Sequence, residues 1–188
     1  MNSGIPGTRN VDHVAYTVPD LDQAVGFFVD VLGADLVYLT GPVSDPDGDW
    51  MARKLNVHAR ASAHIAMLRL GPTMNVELFE YDTPGQNRAL PRNSDHGGHH
   101  LAFYVDDVDA AADYLRRQQG VRMLGEPETI EQGPIAGSRW VYFLTPWGMQ
   151  LEIVHVPAGR PYEKLTTTRK YGPETRPLLD HHLSRSTT

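Results

Sequence analysis

The chain has no cysteine in its 188 residues. That removes disulfides, thiolate metal ligands and cysteine nucleophiles together, so any bound metal must sit among His, Asp, Glu and water. A basic surplus is also missing: 17 Lys and Arg face 23 Asp and Glu, for a formal charge of -6. Nucleic acid and anionic membrane surfaces are therefore poor partners. No apolar run exceeds strand length, which leaves no candidate transmembrane helix. The opening MNSGIPGTRN lacks the apolar core of a signal peptide, and the expected location is cytoplasmic. What remains is ordinary globular composition, 40% apolar and 21% charged. Its length suits one domain or two small fused modules and is enough to bury a core.

What is present is a repeat. His13-Val14-Ala15-Tyr16-Thr17-Val18-Pro19-Asp20-Leu21-Asp22 recurs as His100-Leu101-Ala102-Phe103-Tyr104-Val105-Asp106-Asp107-Val108-Asp109. From His13–Phe28 against His100–Leu115 the two align without a gap, and His, Ala, Val, Asp, Asp and Ala stand at equivalent places. Each copy begins on a strand-like alternation, turns at an acidic residue and runs into helical spacing, with Leu21, Ala24, Val25, Phe28 and Leu32 on one stripe in the first. Gly33 and Gly120 stop the two helices. Downstream hairpins also correspond: one turns at Gly71-Pro72 and holds Glu77, the other turns at Thr145-Pro146-Trp147-Gly148 and holds Glu152. Internal symmetry of this kind means two copies of one supersecondary unit, here strand, helix, strand, strand, strand.

The expected organisation follows. Residues 1–10 form a loose N-terminus, 11–81 the first βαβββ module, 82–97 a linker loop, 98–156 the second module and 157–188 a tail without periodicity that wraps the domain or a partner subunit. Within the first module, 34–39 reads as a strand and 40–61 as a long Gly/Pro/Asp-rich loop with weak helical character, lid-like in length. The fold class is α+β, a curved mixed sheet with helices on its outer face.

Strand parity then selects residues. Side chains on a strand alternate faces. Val14, Tyr16 and Val18 share the bulky face of the first strand, and Leu101, Phe103 and Val105 that of its counterpart. His13 and His100 lie on the opposite, small-residue faces. Glu77 opposes Val76 and Leu78; Glu152 opposes Leu151 and Ile153. A lone His at a strand start is ordinarily a solvated or hydrogen-bonded residue, and a lone Glu an exposed edge residue. All four recurring at equivalent places in a drifted repeat point instead to a metal site. Neutral imidazole and carboxylate suit zinc, nickel, cobalt, manganese or iron, with zinc favoured, and two carboxylates offset the charge of one divalent ion.

Other polar residues take lesser roles. His99 and His155 are out of phase with the ligand faces. Asn75 and Gln150 are in phase and are candidates for substrate oxygens, as is His64, whose face is undetermined. Trp50 and Met51 lie in the loop that would cover the site. Asp45, Asp47 and Asp49 have the spacing of a calcium loop, but position twelve is Asn56, so a turn is the better reading. Trp147 packs at its hairpin turn.

The stretches DHVAYTVPDLDQAVGFFVDVLGA, GGHHLAFYVDDVDAAADYL and TPWGMQLEIVH resemble the vicinal oxygen chelate superfamily, also called the glyoxalase/bleomycin-resistance/dioxygenase family. The resemblance covers most of residues 11–156 and not the tail. It implies paired βαβββ modules around one divalent ion, with His13, Glu77, His100 and Glu152 as ligands, and a homodimer. Extradiol dioxygenases of this fold use two His and one Glu, and antibiotic-binding members lack the ligands, so the His/Glu/His/Glu set fits the lyase and epimerase group. The long 40–61 segment and the tail favour an epimerase of a polar hydroxyketone, a cyclitol or sugar-like compound, over a glutathione-using glyoxalase. The expected reaction is proton transfer next to a carbonyl through a metal-stabilised enediolate, with Glu77 and Glu152 exchanging the proton and Glu152 as the base. A glyoxalase-like lyase, a dioxygenase and a metal-free sequestering protein stand behind it in that order.

Overall fold

The computed structural model describes residues 5–172. Two compact units make up the chain, Met1–Arg88 and Ala89–Thr188. The first contains β1 (Val14–Thr17), α1 (Leu21–Gly26, continuing as a wide π turn over Phe27–Val31), β2 (Asp35–Ser44), α2 (Trp50–Leu55), β3 (Ser62–Leu70) and β4 (Met74–Asp82). The second contains β5 (Leu101–Tyr104), α3 (Val108–Arg116), β6 (Arg122–Met123), β7 (Glu128–Thr129), β8 (Arg139–Leu144), β9 (Gln150–His155) and a 3-10 turn at Pro161–Lys164.

The two sheets are built alike. Their orders are β1-β4-β3-β2 and β5-β9-β8-β6, with β7 also on β8. In each, the opening strand runs parallel to the last, and the rest is antiparallel. The registers correspond as well: Ala15 lies across from Glu77, and Ala102 across from Glu152. A one-residue slip would invert every side chain of the strand, so matching registers keep His and Glu on one face in both units.

The opposite face is the core. Val76 and Leu78 on β4, Leu68 and Ala66 on β3, and Leu21, Ala24 and Phe28 on α1 are buried together in the first unit. Leu151, Ile153, Val141 and Phe143 pack with Val108, Ala112 and Leu115 of α3 in the second. The repeated aspartates are the helix caps: Asp20 accepts from the Gln23 N–H, and Asp107 from those of Asp109 and Ala110. Each satisfies backbone donors that the first helical turn leaves unpaired. Glu80 adds a longer tie, its Oε2 accepting the Leu21 N–H at 2.7 Å and fixing α1 to β4.

Three expectations need correction. The strand read as 34–39 continues to Ser44 through the Gly41–Pro42 peptide, because β3 pairs again with Val43 and Ser44 beyond an irregularity at Gly41–Pro42. The 40–61 segment is consequently strand, turn and helix more than loop. Met51 is fully buried on α2, so it packs the core and covers no site. Strand β7 had no signal, being two residues long. Of the tail, residues 157–172 are described; the remainder, like residues 1–4, lies outside the described residues.

Candidate metal and substrate site

In the first unit β4 presents Glu77 beside β1, and the residue just before β1 is His13. His13 Nε2 lies 3.3 Å from Glu77 Oε2. On the other side of the ring, Asp12 Oδ2 is 2.8 Å from Nδ1. The Asp12 hydrogen bond is the main cause of an imidazole pKa above the usual histidine value, with the charges of Glu77 and Asp12 adding and desolvation opposing. Asn75, one step along the same face, donates from Nδ2 to the Asp12 carbonyl at 2.9 Å. It therefore steadies the loop that holds His13.

The second unit repeats the pairing. His100 Nε2 lies 3.1 Å from Glu152 Oε2, and Nδ1 lies 3.2 Å from Asn93 Oδ1. The carboxyl of Glu152 is pushed up by burial, against the lowering effect of His100 and Lys170. Both glutamates are mostly covered, with 16% and 14% of their side chains exposed. Tyr142 pairs across from Glu152 on β8 and meets the His100 ring edge-on at 5.0 Å. Trp140 continues this aromatic wall, 5.0 Å from Tyr142. Burial raises the Tyr142 phenol and the Glu152 charge adds to it, while a hydrogen bond with Asn93 works against them. A cavity of about 570 Å³ opens over this face, lined by His100, Tyr142, Trp140 and Glu152 among others.

The donor chemistry fits a divalent ion. Each imidazole faces an acceptor oxygen on both nitrogens, yet a neutral ring has only one N–H to give. With Nδ1–H held by Asp12 or Asn93, Nε2 and the glutamate oxygen are left as two lone-pair groups in contact, and a shared cation or a second proton reconciles them. Metal bonds of about 2.0–2.2 Å set neighbouring ligand atoms about 3.0–3.5 Å apart, the range of both Nε2–Oε2 distances. Holding the far nitrogen is how proteins orient ligand histidines. Among the described residues no group of three or more His, Cys, Asp or Glu is gathered; each unit supplies a pair.

The other candidates are placed as follows. Gln150 opens β9 on the Glu152 face. His64 pairs across from Glu80, which puts it on the face opposite Glu77, away from the His13 pair. Trp50 is the exposed first residue of α2, its N–H held by Asp45 Oδ2. Asp45 also accepts from Gly48, so this acidic stretch is a turn. His99 and His155 hydrogen-bond backbone carbonyls, of Gly97 and Val105. Sequence reasoning missed Asp12, Asn93 and Tyr142. Tyr142 was reachable, since a hairpin turning at residues 145–148 pairs it with Glu152; Asn93 sits in an irregular loop with no pattern to mark it.

Comparison with known proteins agrees with the fold. The profile of the Glyoxalase/Bleomycin resistance protein/Dioxygenase superfamily matches residues 10–153. A 2-epi-5-epi-valiolone epimerase from Actinomyces sp is 67% identical over 171 residues, covering 91% of this chain and 92% of that protein. An ethylmalonyl-CoA/methylmalonyl-CoA epimerase from Cereibacter sphaeroides is 31% identical over 63% of this chain and 76% of its own length. The crystal structure of a glyoxalase family protein from Bacillus cereus superposes with a TM-score of 0.60 at 21% identity, over 81% of this chain and 99% of that one. Members of the superfamily are generally dependent on a divalent metal. The chain belongs to the glyoxalase/bleomycin resistance protein/dioxygenase superfamily, as an enzyme of its isomerase and epimerase group.

Proposed function

We propose that this protein epimerises a cyclitol ketone of the 2-epi-5-epi-valiolone kind, by removing and returning a proton at a carbon next to the carbonyl. The observation that carries the reading is Glu152. It is a largely covered carboxylate at the wall of a cavity of about 570 Å³, held opposite His100 and raised in pKa by burial. A general base must lie within hydrogen-bond reach of the proton it takes, and Glu152 lines the cavity that would hold the ring.

His13, Glu77, His100 and Glu152 are the residues we assign to hold a divalent ion, zinc in the first instance. Such an ion, when bound, supplies Lewis-acid polarisation of a substrate oxygen. The chain's own residues do the rest. Asp12 and Asn93 fix the imidazoles. Tyr142 and Trp140, packed edge to face, offer aromatic surface to the C–H groups of a ring. Glu152 takes the proton and Glu77 is assigned its return. Asn75 is committed to the Asp12 carbonyl, which leaves Gln150 as the amide available for substrate hydroxyls. We assign a homodimer as the working state and the cytoplasm as its location; among the described residues no helix is long and apolar enough to cross a membrane.

Incubating the protein with the cyclitol ketone in deuterated water tests the reading. Deuterium should enter the carbon beside the carbonyl, together with inversion at that centre. Inversion without exchange, or no reaction with any ring hydroxyketone, would remove it.

A further inference from the structure

We propose that Lys170 is a substrate-binding residue, carried to the His100–Glu152 cavity by the chain that follows the second module, where its ammonium donates hydrogen bonds to a hydroxyl or carbonyl oxygen of the substrate. The inference rests on the epimerase reading and adds a determinant of specificity to it.

The segment after β9 is fastened to its own unit. The Tyr162 N–H donates to the Pro134 carbonyl at 3.0 Å, and the Lys170 N–H to the Tyr162 hydroxyl at 3.1 Å. The Arg169 guanidinium bonds the carbonyls of Glu163 and Thr166, which closes the turn between them. From β5, two residues beyond Ala102, the Tyr104 hydroxyl donates to the Tyr171 carbonyl at 3.1 Å. Lys170 is thus pinned on both sides, and it and Tyr171 line the same cavity as His100 and Glu152.

Two further observations point to a polar ligand there. The charge of Lys170 reaches Glu152, and no ion pair within 4 Å engages it among the described residues, so its donors are available. Ser138, another lining residue, is buried, and its Oγ has no hydrogen-bond partner among the described residues. Buried hydroxyls are almost always bonded, and one left over beside a cavity is the kind of group a polyol satisfies. Apolar and aromatic walls, a lining ammonium and a spare hydroxyl suit a ring with many oxygens better than an acyl thioester. The family match ends at residue 153, whereas the similarity to the Actinomyces epimerase spans 171 residues and so must run into this segment.

The test compares wild type, Lys170→Met and Lys170→Arg by KM, kcat and metal content. Lys170→Met keeps the length and removes the donors. Loss of a charge-assisted hydrogen bond corresponds to about a ten- to hundredfold change, so KM should rise at least tenfold with metal content unchanged, and Lys170→Arg should recover part of it. A KM within twofold of wild type in Lys170→Met overturns the proposal, as does an equal loss in both variants accompanied by loss of metal. If the wild type itself neither exchanges deuterium nor inverts any ring ketone, the epimerase reading fails and this proposal with it. An active wild type with an unaffected Lys170→Met variant sinks this proposal alone.

Discussion

Replacing Glu152 with Gln separates catalysis from stability. The side chain keeps its size and loses its charge and its basicity. A positioned general base contributes about 10²–10⁴-fold, which at about 1.36 kcal/mol per tenfold is roughly 3–5 kcal/mol of barrier. Deuterium exchange by Glu152→Gln, followed by NMR, should fall by that factor. Stability should move differently. Burial raises the carboxyl's pKa, so the folded state favours the protonated form. A group raised in this way contributes its stability below the unfolded value of about 4.3, and that contribution is lost as pH rises through the folded value. At pH 8 the metal-free wild type therefore holds an unfavourable ionised group that Gln does not have. The metal-free variant should melt no lower than wild type at pH 8, with its relative advantage shrinking toward pH 5. Exchange by Glu152→Gln within threefold of wild type, with metal retained, would refute Glu152 as the base. A melting temperature many degrees lower at pH 8 would show that the carboxylate is structural.

Removing metal with a chelator should abolish exchange, and added divalent ion should restore it; in His100→Ala, elemental analysis should find the metal reduced and exchange lost even after resupply. Asp107→Ala removes the acceptor for the Asp109 and Ala110 N–H groups, so urea unfolding should show a loss of about 1 kcal/mol with deuterium exchange unchanged. Phe143→Ala opens a void behind β8, where the ring is fully buried. Its expected cost is about 3–5 kcal/mol in the same unfolding assay, and a cost under 1 kcal/mol would mean that β8 does not carry the core.

Much of the architecture could be read from local pattern because it is written at short range. Period-two alternation and helical spacing are properties of neighbours, and the repeat doubled each signal: Asp20 and Asp107 mark helix starts by capping, and Val76, Leu78, Leu151 and Ile153 mark the buried face by parity. Parity also sets His13, Glu77, His100 and Glu152 on the faces opposite the apolar core. It failed for His64 because its face depends on the register of β3 against β4, which a sequence window does not contain. Met51 was misplaced because a residue in a polar segment is drawn into the core only when α2 closes over it.

The amino-acid order by itself determined two like modules, their helix caps, and which face of each strand is polar, since these follow from bonds and periodicities spanning a few residues. Tertiary structure alone decided what surrounds each histidine. Asp12 is a sequence neighbour, but Asn93 and Tyr142 reach His100 only through a loop and a hairpin, and Lys170 reaches the cavity only because Tyr104 and Tyr162 hold the chain there. Such contacts depend on closing long stretches of chain, and no local spacing records which residues will then meet.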